Sequence, residues 1–184
     1  VIGCVIIIPI IIAVVLAIVG FKYVKDNDID IKEYIEESAT MKGTIGDTLS
    51  GDDVKITLTD ALMYSSIEGE SFTDTPAEGK EYLVFFFNIE NVSDEDKFVS
   101  AYNFTGYADD TMVVNKLLFN DVDNVQSLSA DLAPGKKARG YVAYEVDTNW
   151  KQFDIHYKEN SFDYNDSMIF TVVNEENNQN NNNA

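Results

Sequence analysis

Gly79-Lys80-Glu81-Tyr82-Leu83-Val84-Phe85-Phe86-Phe87-Asn88-Ile89-Glu90-Asn91 is the stretch around which the chain is organised. Leu83, Phe85, Phe87 and Ile89 take alternate positions and form one wholly apolar face. Tyr82, Val84 and Phe86 line the other, which turns polar only at Asn88 and Glu90. Aromatic and β-branched residues in such a run suit a pleated strand, and Gly79 and Ser93-Asp94 punctuate its ends. A strand apolar on both faces at its centre is expected mid-sheet, with neighbours on either side.

The remaining β segments are read outward from it. Val54, Ile56 and Leu58 alternate with Lys55, Thr57 and Thr59, a half-buried strand expected to run on through a bulge to Tyr64. Residues 65–78 carry Gly69, Pro76 and many acids and read as a long loop. Further strands are expected over residues 98–107, 111–119 and 126–132. Ala133-Pro134-Gly135-Lys136 then has Pro and Gly in the order a type II turn requires. Beyond it Ala138, Gly140, Val142, Tyr144 and Val146 face one way, and Arg139, Glu145 and Asp147 the other. Phe153, Ile155 and Tyr157 make another inward face, and residues 168–173 close the domain. Roughly seven to nine short strands without a domain helix predict an all-β Greek-key sandwich.

The flanks differ in kind. Residues 1–21 contain no charge and as a helix reach about 30 Å, the thickness of a bilayer core, so a transmembrane helix or signal-anchor is expected. Pro9 is tolerated in such a helix. Val1-Ile2-Gly3-Cys4 fits a loose lipobox, but the apolar run follows Cys4 instead of preceding it. Lys22 and Lys25 favour a cytoplasmic C-terminal flank. The chain does not begin with Met, and residues upstream are expected to carry the deciding charges. The expectation is a single pass through the plasma membrane with the C-terminal domain outside. Residues 22–42 read as a charged stalk in which Ile31, Tyr34 and Ile35 form a narrow apolar stripe. The domain is expected over residues 43–173. The acidic, Asn-rich residues 174–184 have nothing to bury and are expected to be disordered.

A formal charge of −19, from 32 acidic and 13 basic residues, argues against nucleic acid and against docking on anionic lipid. Cys4 is the single cysteine, so no intramolecular disulfide forms. Asp26, Asp28, Asp30 and Glu37 match positions of a Ca²⁺ loop, but Ile31 stands where its sharp turn needs Gly, and an acidic linker is the reading taken. Asp52-Asp53, Asp109-Asp110 and Asp121 with Asp123 fall at expected turns, which Asp favours on its own account. His156 is the only histidine and offers neither a metal cluster nor a catalytic triad. No catalytic, cofactor-binding or metal-ligating residue is therefore assigned. Trp150, with Tyr141 and Tyr157 near it in sequence, offers an aromatic platform for sugars or peptides, against the alternative of core side chains. Asn91, Asn103 and Asn165 fit the glycosylation triplet, which an Asn-rich chain also produces by accident.

Three motifs in order carry a family likeness: Gly46-Asp47-Thr48, the Gly79-Lys80-Glu81-Tyr82 entry to the Phe-rich strand with its exit Asn88 to Ser93, and Leu132 to Gly140 followed by Val142 to Val146. Together they resemble the DUF4352 family of bacterial and archaeal surface proteins over residues 43–173. The resemblance implies an immunoglobulin-like sandwich behind a lipoprotein signal or membrane anchor, and brings no site residues with it. The function expected is a membrane-anchored, non-catalytic module that binds a protein, glycan or cell-wall ligand. The alternative is a structural role in which membrane segment and stalk assemble copies of the chain.

Overall fold

A strand that buries both faces needs cover on both sides, and the computed structural model shows where each cover comes from. The structure describes residues 40–158 and 167–175. The expected membrane span, the stalk up to residue 39 and the tail beyond residue 175 lie outside the described residues. Among the described residues no helix is long and apolar enough to cross a membrane.

The first strands are β1 (Met41–Gly43), β2 (Thr48–Ser50), β3 (Val54–Tyr64), β4 (Ile67–Glu68), β5 (Thr73–Asp74), β6 (Lys80–Asn91) and β7 (Lys97–Ser100). After them come β8 (Phe104–Ala108), β9 (Thr111–Val113), β10 (Ser129–Leu132), β11 (Lys137–Asp147), β12 (Gln152–Lys158) and β13 (Ser167–Val173). Two sheets face each other as a β-sandwich, one in the order β11-β6-β3-β2 and the other β1-β13-β12-β8-β9. The Phe-rich strand β6 is central, pairing antiparallel with β3 on one side and β11 on the other. β1 joins the edge of the second sheet parallel to β13, so Met41 and Lys42 take part in the sandwich.

Alternation sorts the β6 side chains into two clusters. Leu83, Phe85, Phe87 and Ile89 point into the space between the sheets. There Phe85 lies 5.1 Å from Phe153, and Phe87 lies 4.6 Å from Phe104 and 5.9 Å from Phe170, all from the opposite sheet. Gly106 has no Cβ because one would come within 2.5 Å of Phe153 and 2.6 Å of Tyr144. Tyr82, Val84 and Phe86 point the other way and pack with Tyr141 and Ala143 of β11. Their cover is Leu118, Val122 and Val125 from the connection between β9 and β10, and Ile67 from β4. This connection is tied to β11 by Lys116 N–H donating to Ala143 at 2.7 Å and Tyr141 N–H donating to Gln126 at 3.0 Å. Asp74 pins its middle, accepting hydrogen bonds from the Phe119 and Asn120 backbone and from the Asn120 amide.

The bulge in β3 lies between Leu58 and Asp60. It moves the core-facing positions from Val54, Ile56 and Leu58 to Ala61 and Met63, which keeps both halves of the strand on the same core. The Ala133–Lys136 turn is present, with Gly135 at φ +71° and a 3.0 Å bond from Lys136 N–H to Ala133. Asp109-Asp110 and Asp123-Asn124 all have positive φ and occupy two-residue hairpin turns, so the turn expected at Asp121 and Asp123 takes Asp123 with Asn124 and leaves Asp121 before it.

Four expected spans differ from the fold. Residues 98–107 are not one strand: β7 ends in a 3-10 turn at Ala101–Asn103, and β8 then enters the other sheet. The Asn103 side-chain oxygen Oδ1 accepts from Ser100 N–H at 2.9 Å, giving the backbone a local alternative to the ladder. Residues 111–119 hold a strand only as far as Val113, because Leu117, Leu118 and Phe119 do not alternate and Leu118 turns in as cover. Residues 65–78 contain the small β4–β5 hairpin, and the strand expected over 126–132 starts at Ser129.

Candidate functional site

With both faces of β6 covered, functional side chains must lie where cover ends or where apolar groups stay in water. Phe98 is 61% exposed, Leu117 66% and Tyr102 85%. These three line one cleft of about 260 Å³, whose floor includes Ala101 and Leu128 and whose polar rim includes Asn115 and Lys116.

Each wall of the cleft is held by a local bond. β7 and β10 pair antiparallel, so Phe98 stands outward opposite Asp131 while Val99 enters the core. Ala101 N–H donates to Leu128 at 2.9 Å, drawing the 3-10 turn with Tyr102 against the start of β10. The Asn115 amide donates to the Ala101 carbonyl and closes the third side. The Lys116 ammonium pairs with Glu145 at 2.9 Å, and that hydrogen bond raises its pKa above the ordinary lysine value. Lys116 therefore stays charged at the rim at neutral pH. Exposed apolar residues scattered singly are ordinary, but a cleft bordered by two aromatics and a leucine is a candidate interaction surface. Among the described residues no group of three or more His, Cys, Asp or Glu side chains could hold a metal ion.

A family model described as "Domain of unknown function (DUF4352)" matches residues 43–179. The chain belongs to the DUF4352 family. No functionally curated protein matches it. Among solved structures, this DUF4352 chain is similar to ycdA, a candidate lipoprotein of Bacillus subtilis, with a TM-score of 0.56 and 15% identity over 73% of this chain and 41% of that one. It is similar to the yjhA protein of Bacillus subtilis, with a TM-score of 0.54 and 14% identity over 72% of this chain and 98% of that one. MPT63, a secreted protein of Mycobacterium tuberculosis, gives a TM-score of 0.52 and 11% identity over 72% of this chain and 98% of that one. At such identities the likeness concerns the fold, and the chain spans less than half the length of ycdA.

The aromatic residues singled out from sequence take other places in the DUF4352 domain. Trp150 is 4% exposed, Tyr141 1% and Tyr157 2%, so none presents a platform to solvent. Trp150 packs edge-on to Phe153 at 6.4 Å, and Tyr157 lies 5.1 Å from Phe104. Tyr141 belongs to the outer cluster. Its hydroxyl donates to Asn120 at 3.0 Å, and burial pushes its pKa up to about 12. All three are buried because each lies on a face that an opposing layer covers. His156 is half-buried against Tyr107 at 4.9 Å, and burial lowers its pKa below the usual histidine value. Of the glycosylation triplets, Asn91 is fully buried, its amide donating to Glu95 and Leu132 at 2.7 Å, which leaves it closed to modification. Asn103 uses its amide on the Lys158 carbonyl, and Asn165 lies outside the described residues.

No sequence pattern pointed to Phe98, Tyr102 and Leu117. Phe98 reads as one more alternating strand residue, and Tyr102 sits in a turn that the sequence shows as strand. The one usable signal was the Leu117-Leu118-Phe119 triplet, in which three consecutive apolar residues cannot all face one core.

Proposed function

We propose that this chain is a membrane-anchored, non-catalytic surface module with an immunoglobulin-like arrangement of its sandwich, and that it binds a partner protein through the Phe98–Tyr102–Leu117 cleft. The observation that carries the reading is the exposure of those three side chains around one open apolar cleft. Such a patch, rimmed by Asn115 and Lys116, has the apolar centre and polar edge of a docking site. The anchor is the charge-free segment at residues 1–21. The surface setting is supported by similar structures described as a candidate lipoprotein and a secreted protein.

The test places a photo-crosslinking residue at Leu117, and at Thr111 as an exposed control, in the full chain in its native membrane. A discrete adduct with another protein at position 117 and none at 111 is the expected result. Equal labelling at both positions, or none at either, overturns the cleft as a docking site. An adduct of twice the chain mass assigns it to self-association instead. Protease added to intact cells should release the folded domain, and protection until the membrane is opened would place the domain inside.

A further inference from the structure

The outer face of the first sheet is covered only in part. Along β6 the cover ends after Phe86, and Asn88 and Glu90 emerge into solvent or its edge. The open part holds Arg139, the only arginine of the chain. Its register neighbours across the sheet are Asn88, then Thr57, then Thr48, all on the same face. At about 4.8 Å between strands this row spans about 14 Å. Together with Lys55 and Lys137 it lines a shallow groove of about 540 Å³.

The charges around Arg139 go against the rest of the chain. Cross-strand acid partners are used elsewhere on this sheet, Lys137 with Glu90 at 3.0 Å and Lys80 with Asp147 at 3.2 Å. In a chain with 32 acids, Arg139 faces Asn88 instead, and among the described residues no carboxylate pairs with its guanidinium. The one acid in the groove, Glu90, is already engaged by Lys137. The Thr48 and Thr57 hydroxyls lie 2.7 Å apart, so one hydrogen satisfies the pair and the other is left to point outward. The groove is therefore rich in donors: a guanidinium fork, an amide, a hydroxyl and the Lys55 ammonium.

We propose that this groove binds an acidic saccharide, with Arg139 holding a sugar carboxylate through its two-pronged donor edge and Asn88 and Thr57 holding neighbouring hydroxyls. A fork of parallel N–H donors matches one carboxylate. A long polyanion is disfavoured because past the row of about 14 Å it would run more than a Debye length, about 8 Å, over a chain of net charge −19. A peptide added as a strand would lie along β2 or β11, the edges of this sheet, whereas the donor row runs across its face through β6 and β3, which are paired on both sides. What the face offers is side-chain groups only, which suits a ligand carrying its own hydroxyls. This site is separate from the apolar cleft and does not depend on it.

The probe is trigalacturonic acid, titrated against the full chain in neutral detergent and followed by saturation-transfer NMR and calorimetry. Galactotriose serves as the uncharged control. The expected result is binding of the acid, with galactotriose at least about tenfold weaker and affinity falling as salt is raised. Arg139→Ala should weaken binding about tenfold or more, and Arg139→Lys should recover only part because it keeps the charge and loses the fork. Thr111→Ala, at an exposed position outside both clefts, should leave saccharide binding unchanged. Each substituted residue is exposed, so melting temperatures are expected to match the wild type and to show that folding is intact. Absence of binding, equal binding of galactotriose, or an Arg139→Ala protein that binds as wild type each overturns the proposal. So does an acidic peptide that displaces the saccharide at lower concentration.

Discussion

Replacing Phe87 by Ala tests the assignment of the inner face directly. The side chain is fully buried and bridges the sheets, lying 4.6 Å from Phe104 and 5.9 Å from Phe170, with Phe85 at 6.5 Å in its own strand. Removing a buried phenyl ring costs about 3–5 kcal/mol through lost transfer energy and the cavity left behind. Loss of two cross-sheet aromatic contacts, each worth about 0.5–1.5 kcal/mol, puts this site in the upper part of that range. A domain of this size has about 5–15 kcal/mol of net stability, so the variant should melt roughly 10–20 °C lower or fail to accumulate. Phe98→Ala removes the same ring from a position that is 61% exposed, and surface changes stay within about 0.5 kcal/mol. Urea and thermal melts of the two variants, followed by near-ultraviolet circular dichroism, give the contrast. A Phe87→Ala melt within about 2 °C of wild type, or equal losses in both variants, would refute the packing argument.

Two other perturbations have calculable outcomes. Asp74→Ala strips the acceptor from the Phe119 and Asn120 backbone N–H groups and should cost about 1–3 kcal/mol. Hydrogen exchange should show faster exchange at those two amides, with the β6–β11 ladder still protected; unchanged exchange would mean that Asp74 is not the pin. The His156 imidazole has its pKa lowered, first by burial and then by Lys158, with Asp154 opposing. The unfolded chain therefore binds the proton more readily than the fold does, and stability rises with pH. That contribution is fully present above about pH 6.5, the ordinary histidine value, and is lost as pH falls below it. His156→Gln should flatten this part of the stability profile, and an unaltered profile would assign the slope to other groups.

Much of the sandwich was legible because its signals are local. The period-two faces of β6 and β12, the bulge in β3 and the Pro134-Gly135 turn are each written within a dozen residues, and backbone sterics and strand pleating read them the same way in any context. The family likeness carried the same architecture and no site. The candidate site was not legible, because exposure depends on which layers meet. Trp150, Tyr141 and Tyr157 read in sequence as either a platform or core side chains and are core, since an opposing sheet or the connection between β9 and β10 lies over each. Two-sided apolarity in β6 showed that it would be buried. It did not show that residues 118–125 would supply the second cover, or that this cover would stop short of Asn88 and leave Arg139 open. Alternation along one strand tells which side chains share a face. What lies against that face is decided by contacts between residues far apart in the chain, which no local pattern records.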